Sequence, residues 1–209
     1  MKERLNREVI VDAAVRLLDT VGLDGLTVRR CAAELGVQNP ALYWHFRDKR
    51  DLLDAVADAI VRSAGMGAPL ADETWSDWLL RRGRAYRAAL SAHRDGARIV
   101  ANARMGPDTV RMLERELSAM VALGFTPVLA LRTITTVAQY VTGFVLQEQT
   151  QRDDVPEGGL GTLAEVLRAE PTDTLLTAIR EGGDPFGAHT FDHGLRVIID
   201  GTASALEAL

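Results

Sequence analysis

The stretch GLDGLTVRRCAAELGVQNPALYWHFRDKRDLL, Gly22 to Leu53, decides the fold. Thr27 is a side-chain cap for a short helix, Val28 to Leu35, and Gly36 ends it. Asn39 can cap the next, with Pro40 in its first turn, where a missing amide proton does no harm. That helix runs from Asn39 to about His45, through Ala41, Leu42, Tyr43 and Trp44. Two short helices joined by a glycine-containing turn form a helix-turn-helix. Such a unit needs an exposed second helix whose first residues reach base edges in the major groove. Asn39 stands there, and a carboxamide can bond an adenine edge in two places. Arg29 and Arg30 open the first short helix, within reach of a guanine or a phosphate. Tyr43 and Lys49 flank the second and suit phosphate contacts, which position without reading sequence. Lys49 also lies at a helix start, where free amides favour an anion. A plain three-helix core, with Asn39 as cap and Tyr43 as packing, is the alternative reading.

Working outward, Val9–Val21 reads as a helix carrying Ile10, Ala13, Ala14, Leu17 and Leu18 on one face, broken by Gly22 and Gly25. Downstream, Asp48 opens a fourth helix, Lys49–Ser63, with apolar Leu52, Leu53, Val56, Ala57 and Ile60. Gly65–Leu70 reads as a junction, dividing residues 1–64, which hold the helix-turn-helix, from a larger helical unit, 65–209. Beyond it, Thr74 or Asp72 caps a helix from Trp75 to about Ala92, and Asp95 starts a short one to about Ala103. Helices follow over Asp108–Leu123 and from Thr126-Pro127 to about Gln151. Asp153–Gly161 reads as a loop, Leu163–Ala169 and Thr172–Glu181 as short helices, and Phe186–Leu206 as the last helix. The fold class is all-α, since strand signals are almost absent.

The 209 residues are 47% hydrophobic and 25% charged, which supports a packed core. Net charge is -5, unexpected in a DNA binder. Contact is local, however: Gly25–Arg50 holds five basic residues against two acidic, a net +3 with histidine neutral. No apolar run approaches the ~18 residues needed to span a bilayer. The start, MKERLNREVIVDAA, is charged where a signal peptide needs its apolar stretch, so a cytoplasmic location is expected. One cysteine, Cys31, permits no intrachain disulfide. It reads as a buried thiol ahead of a redox switch.

The GLxGLTxR run, the AxxLGV turn, the ALYWHFxxK recognition helix and the LL that follows closely resemble the DNA-binding domain of the TetR family of repressors. The resemblance implies that Arg29 and Asn39 read bases and that Tyr43 and Lys49 bind phosphates. His45 matches another member of the motif. Ala41 stands where a hydroxyl residue often contacts phosphate, so that contact is lost. ETWSDWL from Glu73, HRDGA from His93, LGF ending at Phe125, GFVLQEQ from Gly143 and FDHGLRVIIDG from Phe191 extend the likeness to the ligand-binding domain of the tetracycline-binding branch. This implies a homodimer packed through the Pro127–Gln151 helix and the last helix, a palindromic operator, and a ligand tunnel in the larger domain.

That branch binds its drug as a magnesium chelate, through a histidine on the metal and a threonine and glutamate reaching it through water. The matching positions here are Val100, Ala103 and Gln147: an apolar side chain cannot coordinate a hard cation, and a neutral amide is a weak partner for one. A drug-facing asparagine, histidine and glutamine become Arg82, Gln139 and Glu116, while Tyr86 and Arg104 stay comparable. The same architecture with a different inducer is expected, with no cofactor and no magnesium–tetracycline chelate. Arg82, Arg104, Glu116, Gln139, Tyr86 and Tyr140 suit a planar, partly polar organic ligand. The alternative is that Arg82 and Glu116 pair with each other or face solvent.

His189 and His193, four apart with Asp192 beside them, have a spacing that can hold a metal, though surface or interface histidines more often show it. There is no GxSxG elbow and no glycine-rich phosphate loop, so a helical enzyme is a poor alternative. An activator of the same fold is the other alternative, since repression depends on where the operator lies. His93 ends a helix, where a donor or cation is favoured.

Overall fold

A computed structural model describes residues 5–153, 173–184 and 187–208, and among these there is no strand. The helices are α1 (Arg7–Gly25), α2 (Val28–Glu34), α3 (Asn39–Tyr43), α4 (Lys49–Ser63), α5 (Trp75–Ser91), α6 (Gly96–Ala101), α7 (Pro107–Ala122), α8 (Pro127–Asp153), α9 (Asp173–Gly182) and α10 (Ala188–Glu207). The expected Leu163–Ala169 helix and most of the Asp153–Gly161 loop lie outside the described residues.

Side-chain caps set several helix starts. Asn6 accepts from the Val9 amide, Thr27 from Arg30, Asp48 from Asp51 and Thr74 from Asp77. Gly22 breaks α1 as expected: its φ of 72° and ψ of 175° are non-helical, and a further turn follows the kink, to Gly25. Other starts and ends differ from expectation. Asn39 is not a cap. Gln38 takes the cap position without a side-chain bond, Asn39 and Pro40 fill the first turn, and α3 stops at Tyr43 rather than His45. Asp95 precedes α6 in the left-handed region and makes no cap bond, because its carboxylate is used elsewhere.

The head is built from α1 to α3 with the first turns of α4. Ile10, Ala14, Leu18, Leu26, Cys31, Leu42, Leu52 and Val56 are all buried there. The body packs α5, α6, α7 and α10 around α8. On α8 the buried positions Ala130, Ile134, Val137, Val141 and Val145 recur at three and four residues, one stripe of a 3.6-residue helix. On α10, Phe191, Leu195 and Ile199 do the same. Residues 127–150 of α8 are long and apolar enough to cross a membrane, with a mean hydropathy of 1.3. This departs from the expectation of no such run. One third of the 18-residue stretch that defines it is buried, along the stripe that meets α5, α6, α7 and α10.

The head does not hang free of the body. One apolar core runs from Ile10 through Val56 and Ile60 to Leu79 and Val137. On α4, three residues four apart hold the segment from α6 to α7: Arg50 donates to the Asn102 carbonyl, Asp54 accepts from the Arg104 amide at 3.0 Å, and Asp58 accepts from Thr109 at 2.5 Å.

Candidate DNA interface and ligand cavity

The exposed side of the head carries the expected DNA-facing residues. Arg29, Arg30, Asn39, Pro40, Tyr43 and Lys49 are exposed, while Ala41 and His45 are half-buried. Arg30 is partly committed, since its guanidinium donates to the Gly25 carbonyl at 3.1 Å. His45 gives its carbonyl to Arg7 at 2.8 Å. Arg7 also stacks 4.2 Å over the Phe46 ring and pairs with Asp51, fixing the end of the recognition helix on the start of α1. Two residues outside the sequence-based set join this surface. Gln38 is exposed at the cap of α3, and Trp44 is 88% exposed just after it. An indole left in water beside a recognition helix is itself a signal, because large aromatics are normally mostly buried. Cys31 lies fully buried behind this surface, and burial pushes its thiol up to about 11.

The body contains a cavity of about 540 Å³, within the usual size range of small-molecule sites. Its wall is mostly apolar: Val100, Met112, Leu113, Ile134, Ala138 and Leu146 contribute, with Val61 of α4 and Met66 after it. Tyr86, Thr109, Thr135, Gln139 and Thr142 add neutral polar groups, and Tyr86 Oη lies 3.3 Å from Thr142 Oγ1. Burial raises the Tyr86 hydroxyl above its ordinary range, so it stays protonated at neutral pH.

Arg82 and Glu116 supply both charges on the described wall. They form an ion pair, as the bland reading of the sequence had it, but deep inside: Arg82 is 5% exposed and Glu116 0%. Arg82 Nε donates to Glu116 Oε2 at 3.0 Å, and Nη2 lies 2.9 Å from the same oxygen. The other two ends, Arg82 Nη1 and Glu116 Oε1, are buried without a hydrogen-bond partner.

Of the expected ligand residues, Arg82, Tyr86, Val100, Glu116 and Gln139 line this cavity. Ala103, Arg104, Tyr140 and Gln147 do not. Helix α6 ends at Ala101, so Ala103 and Arg104 fall in the connection to α7, where the Arg104 amide binds Asp54. Tyr140 points to α10 instead, its hydroxyl donating to the Phe191 carbonyl at 3.0 Å and its ring stacking on Phe191. Gln147 is exposed. Asp54, Asp58 and Thr109 were not singled out in the sequence, because the contacts of the two aspartates with the segment from α6 to α7 join residues 50 and 51 positions apart. Within α4, the i,i+4 ion pairs Arg50–Asp54 and Asp58–Arg62 also form. No group of three or more metal-ligating side chains occurs among the described residues, His189 and His193 included.

A short helix-turn-helix head joined through one long helix to a larger helical body with a cavity open on one side defines a one-component, ligand-responsive transcription regulator. The chain belongs to the TetR family. Residues 10–56 match the family profile described as bacterial regulatory proteins, tetR family, and residues 68–206 match the tetracyclin repressor-like C-terminal domain. Over 202 residues it is 40% identical to the class A tetracycline repressor protein from transposon 1721 of Escherichia coli, covering 96% of this chain and 91% of that one. A class A structure in complex with 5a,6-anhydrotetracycline and magnesium superposes with a TM-score of 0.70 at 34% identity, covering 96% and 99%. ActR of Streptomyces coelicolor, in complex with (S)-DNPA, superposes with a TM-score of 0.81 at 26% identity, covering 97% and 99%. These relatives are regulators rather than enzymes, and this chain is a TetR-family, ligand-responsive transcriptional repressor.

Proposed function

We propose that this repressor binds a palindromic operator as a homodimer in the cytoplasm, and that a small organic ligand other than a magnesium–tetracycline chelate releases it. The observation that carries the reading is that α4 serves two purposes at once. Its first turns hold the recognition helix, while Val61 walls the cavity and Asp58 binds the cavity residue Thr109. A ligand that fills the cavity pushes on the element that carries the DNA-binding head. It induces release only to the extent that it binds the DNA-incompetent arrangement more tightly. A coupling of ~3 kcal/mol weakens operator binding roughly 150-fold.

Arg29 and Asn39 read bases, and Arg30, Tyr43 and Lys49 hold phosphates, with Pro40, Ala41 and His45 setting the shape of the recognition helix. Dyad-related heads about 34–36 Å apart fit successive major grooves. Apolar side chains left in water on α8 and α10, Val128 and Val197, support dimerisation through those helices.

The cavity does not fit a magnesium chelate. The anionic donor on its described wall is one carboxylate, Glu116, and a guanidinium already occupies one of its oxygens and repels a dication. Val100 is apolar, and Ala103 and Gln147 stand off the wall.

The test is fluorescence anisotropy of the full chain with a duplex recovered by selection from random DNA. A palindromic site bound at two protomers per duplex supports the reading. Equal affinity for selected and random duplexes contradicts it.

A further inference from the structure

Two carboxamides follow one another where α3 begins, Gln38 and Asn39. Both residues are exposed, and no other described residue bonds either carboxamide. Their order is the reverse of what helix stability favours. Asn is among the strongly preferred capping residues and Gln is not. Asn6, Thr27, Asp48 and Thr74 each cap the helix they precede. At α3, the Gln holds the cap position without a side-chain bond, and the Asn falls inside the first turn. Folding therefore gives the Gln38 carboxamide no task, and it is free to meet something outside the chain. The first residues of a recognition helix are those that reach base edges in the major groove. Consecutive Cα atoms are about 3.8 Å apart, and successive nucleotides rise about 3.4 Å along a strand. Two adjacent carboxamides thus match two adjacent base pairs. Each has the donor and the acceptor that bond adenine N7 and N6 together.

We infer that Gln38 is a second base-reading residue, which recognises adenine at the base pair next to the one read by Asn39, so that each operator half-site carries two adjacent A·T pairs. This rests on the proposed reading of DNA by α3 and adds a second specified position to it. The contact is with a base and not with a phosphate, so its loss relaxes one position of the site and leaves the salt dependence unchanged.

The experiment selects duplexes from random DNA with the full chain, with Gln38→Ala and with Gln38→Glu. Anisotropy then measures each protein on the duplex selected by the natural chain, on its single-base variants and on random DNA. The natural chain is expected to specify two adjacent A·T pairs in each half-site. Gln38→Ala is expected to lose the preference at one of them and to bind the natural site roughly 5- to 150-fold more weakly. Its affinity for random DNA, its salt slope and its melting temperature stay those of the natural chain, since the side chain caps nothing. Gln38→Glu keeps the side-chain length and turns the donor into an acceptor. It is expected to prefer cytosine at that same position, accepting from the N4 amino group. A selected site that both variants choose unchanged overturns the inference and leaves base reading by Asn39 standing. So does a loss in Gln38→Ala that is equal on every duplex or that comes with a lowered melting temperature. Failure of the natural chain to select any common site overturns the reading of DNA by α3, and this inference with it.

Discussion

The backbone amide of Leu23 donates to the carboxylate of Asp95 at 2.7 Å, joining two residues 72 positions apart in the chain. Leu23 follows the kink in α1 of the head, and Asp95 leads into α6 of the body. Around this bond, Asp19 accepts from the Arg94 amide at 3.1 Å and meets His93, and Asp24 pairs with Arg98 at 3.0 Å. Asp95 is the described non-glycine residue with positive φ, at 56°. A non-glycine residue held there implies surroundings that over-determine it. Replacing Asp95 by Ala leaves the strain and removes the bond, and it is expected to destabilise the fold by about 1–3 kcal/mol. Asp95→Gly removes both and is expected to be milder. Urea denaturation of the two variants checks the order. Gly22, at φ 72°, lies opposite, and a Cβ there would sit 3.0 Å from the Asp95 carboxylate. Gly22→Ala is therefore expected to disturb the same joint.

Asn39 and Lys49 separate reading from gripping. Asn39→Ala is expected to lose about 1–3 kcal/mol on the operator and little on random DNA. Lys49→Ala is expected to weaken both alike and to lower the salt slope by about 1. Anisotropy titrations over a salt series give both quantities, and equal behaviour of the two variants defeats the assignment.

The Arg82–Glu116 pair has an asymmetric mutational signature. Arg82→Met alone leaves a buried carboxylate uncompensated and is expected to cost about 3–5 kcal/mol. Adding Glu116→Met is expected to restore most of it. Thermal unfolding of the single and double variants measures the difference, and additive losses would mean that the two charges do not act as a pair.

Acid sensitivity follows from Glu73. The Arg81 guanidinium, hydrogen-bonded at 2.6 and 2.7 Å, holds its carboxyl down at about 2. A lowered folded-state value means that the ion pair contributes fully above the unfolded value of 4.5 and is lost as pH falls toward 2. Asp51 and Asp192 are lowered by Arg7 and Arg84 in the same sense. Melting temperatures between pH 6 and 3 are expected to fall, and Glu73→Gln is expected to fall less steeply.

Much of this was legible in the sequence because it is local. Thr27, Asp48 and Thr74 cap the helices they precede, and the three- and four-residue spacing of Ile134, Val137, Val141 and Val145 predicts a buried face of α8. What escaped depends on neighbours far along the chain. The Asp95 carboxylate fits a helix cap by sequence, but the Leu23 amide takes it from across the head–body joint. Gln139 and Tyr140 are adjacent, yet about 100° apart on a helix, so one lines the cavity and the other meets Phe191. Arg82 and Glu116 were both singled out, but their burial and their two free ends depend on how α5 and α7 each pack on α8.

The central claim, a TetR-family repressor whose cavity has left magnesium–tetracycline chemistry, is tested most directly by one melting experiment. The purified protein is heated alone, with tetracycline plus magnesium, and with a panel of neutral planar compounds. Any ligand of the folded state raises the melting temperature by mass action. The account requires that a neutral planar compound raises it and releases the operator, while tetracycline with magnesium does neither. A large rise with tetracycline and magnesium would contradict it, and would mean that the losses at Val100, Ala103 and Gln147 leave chelate binding intact.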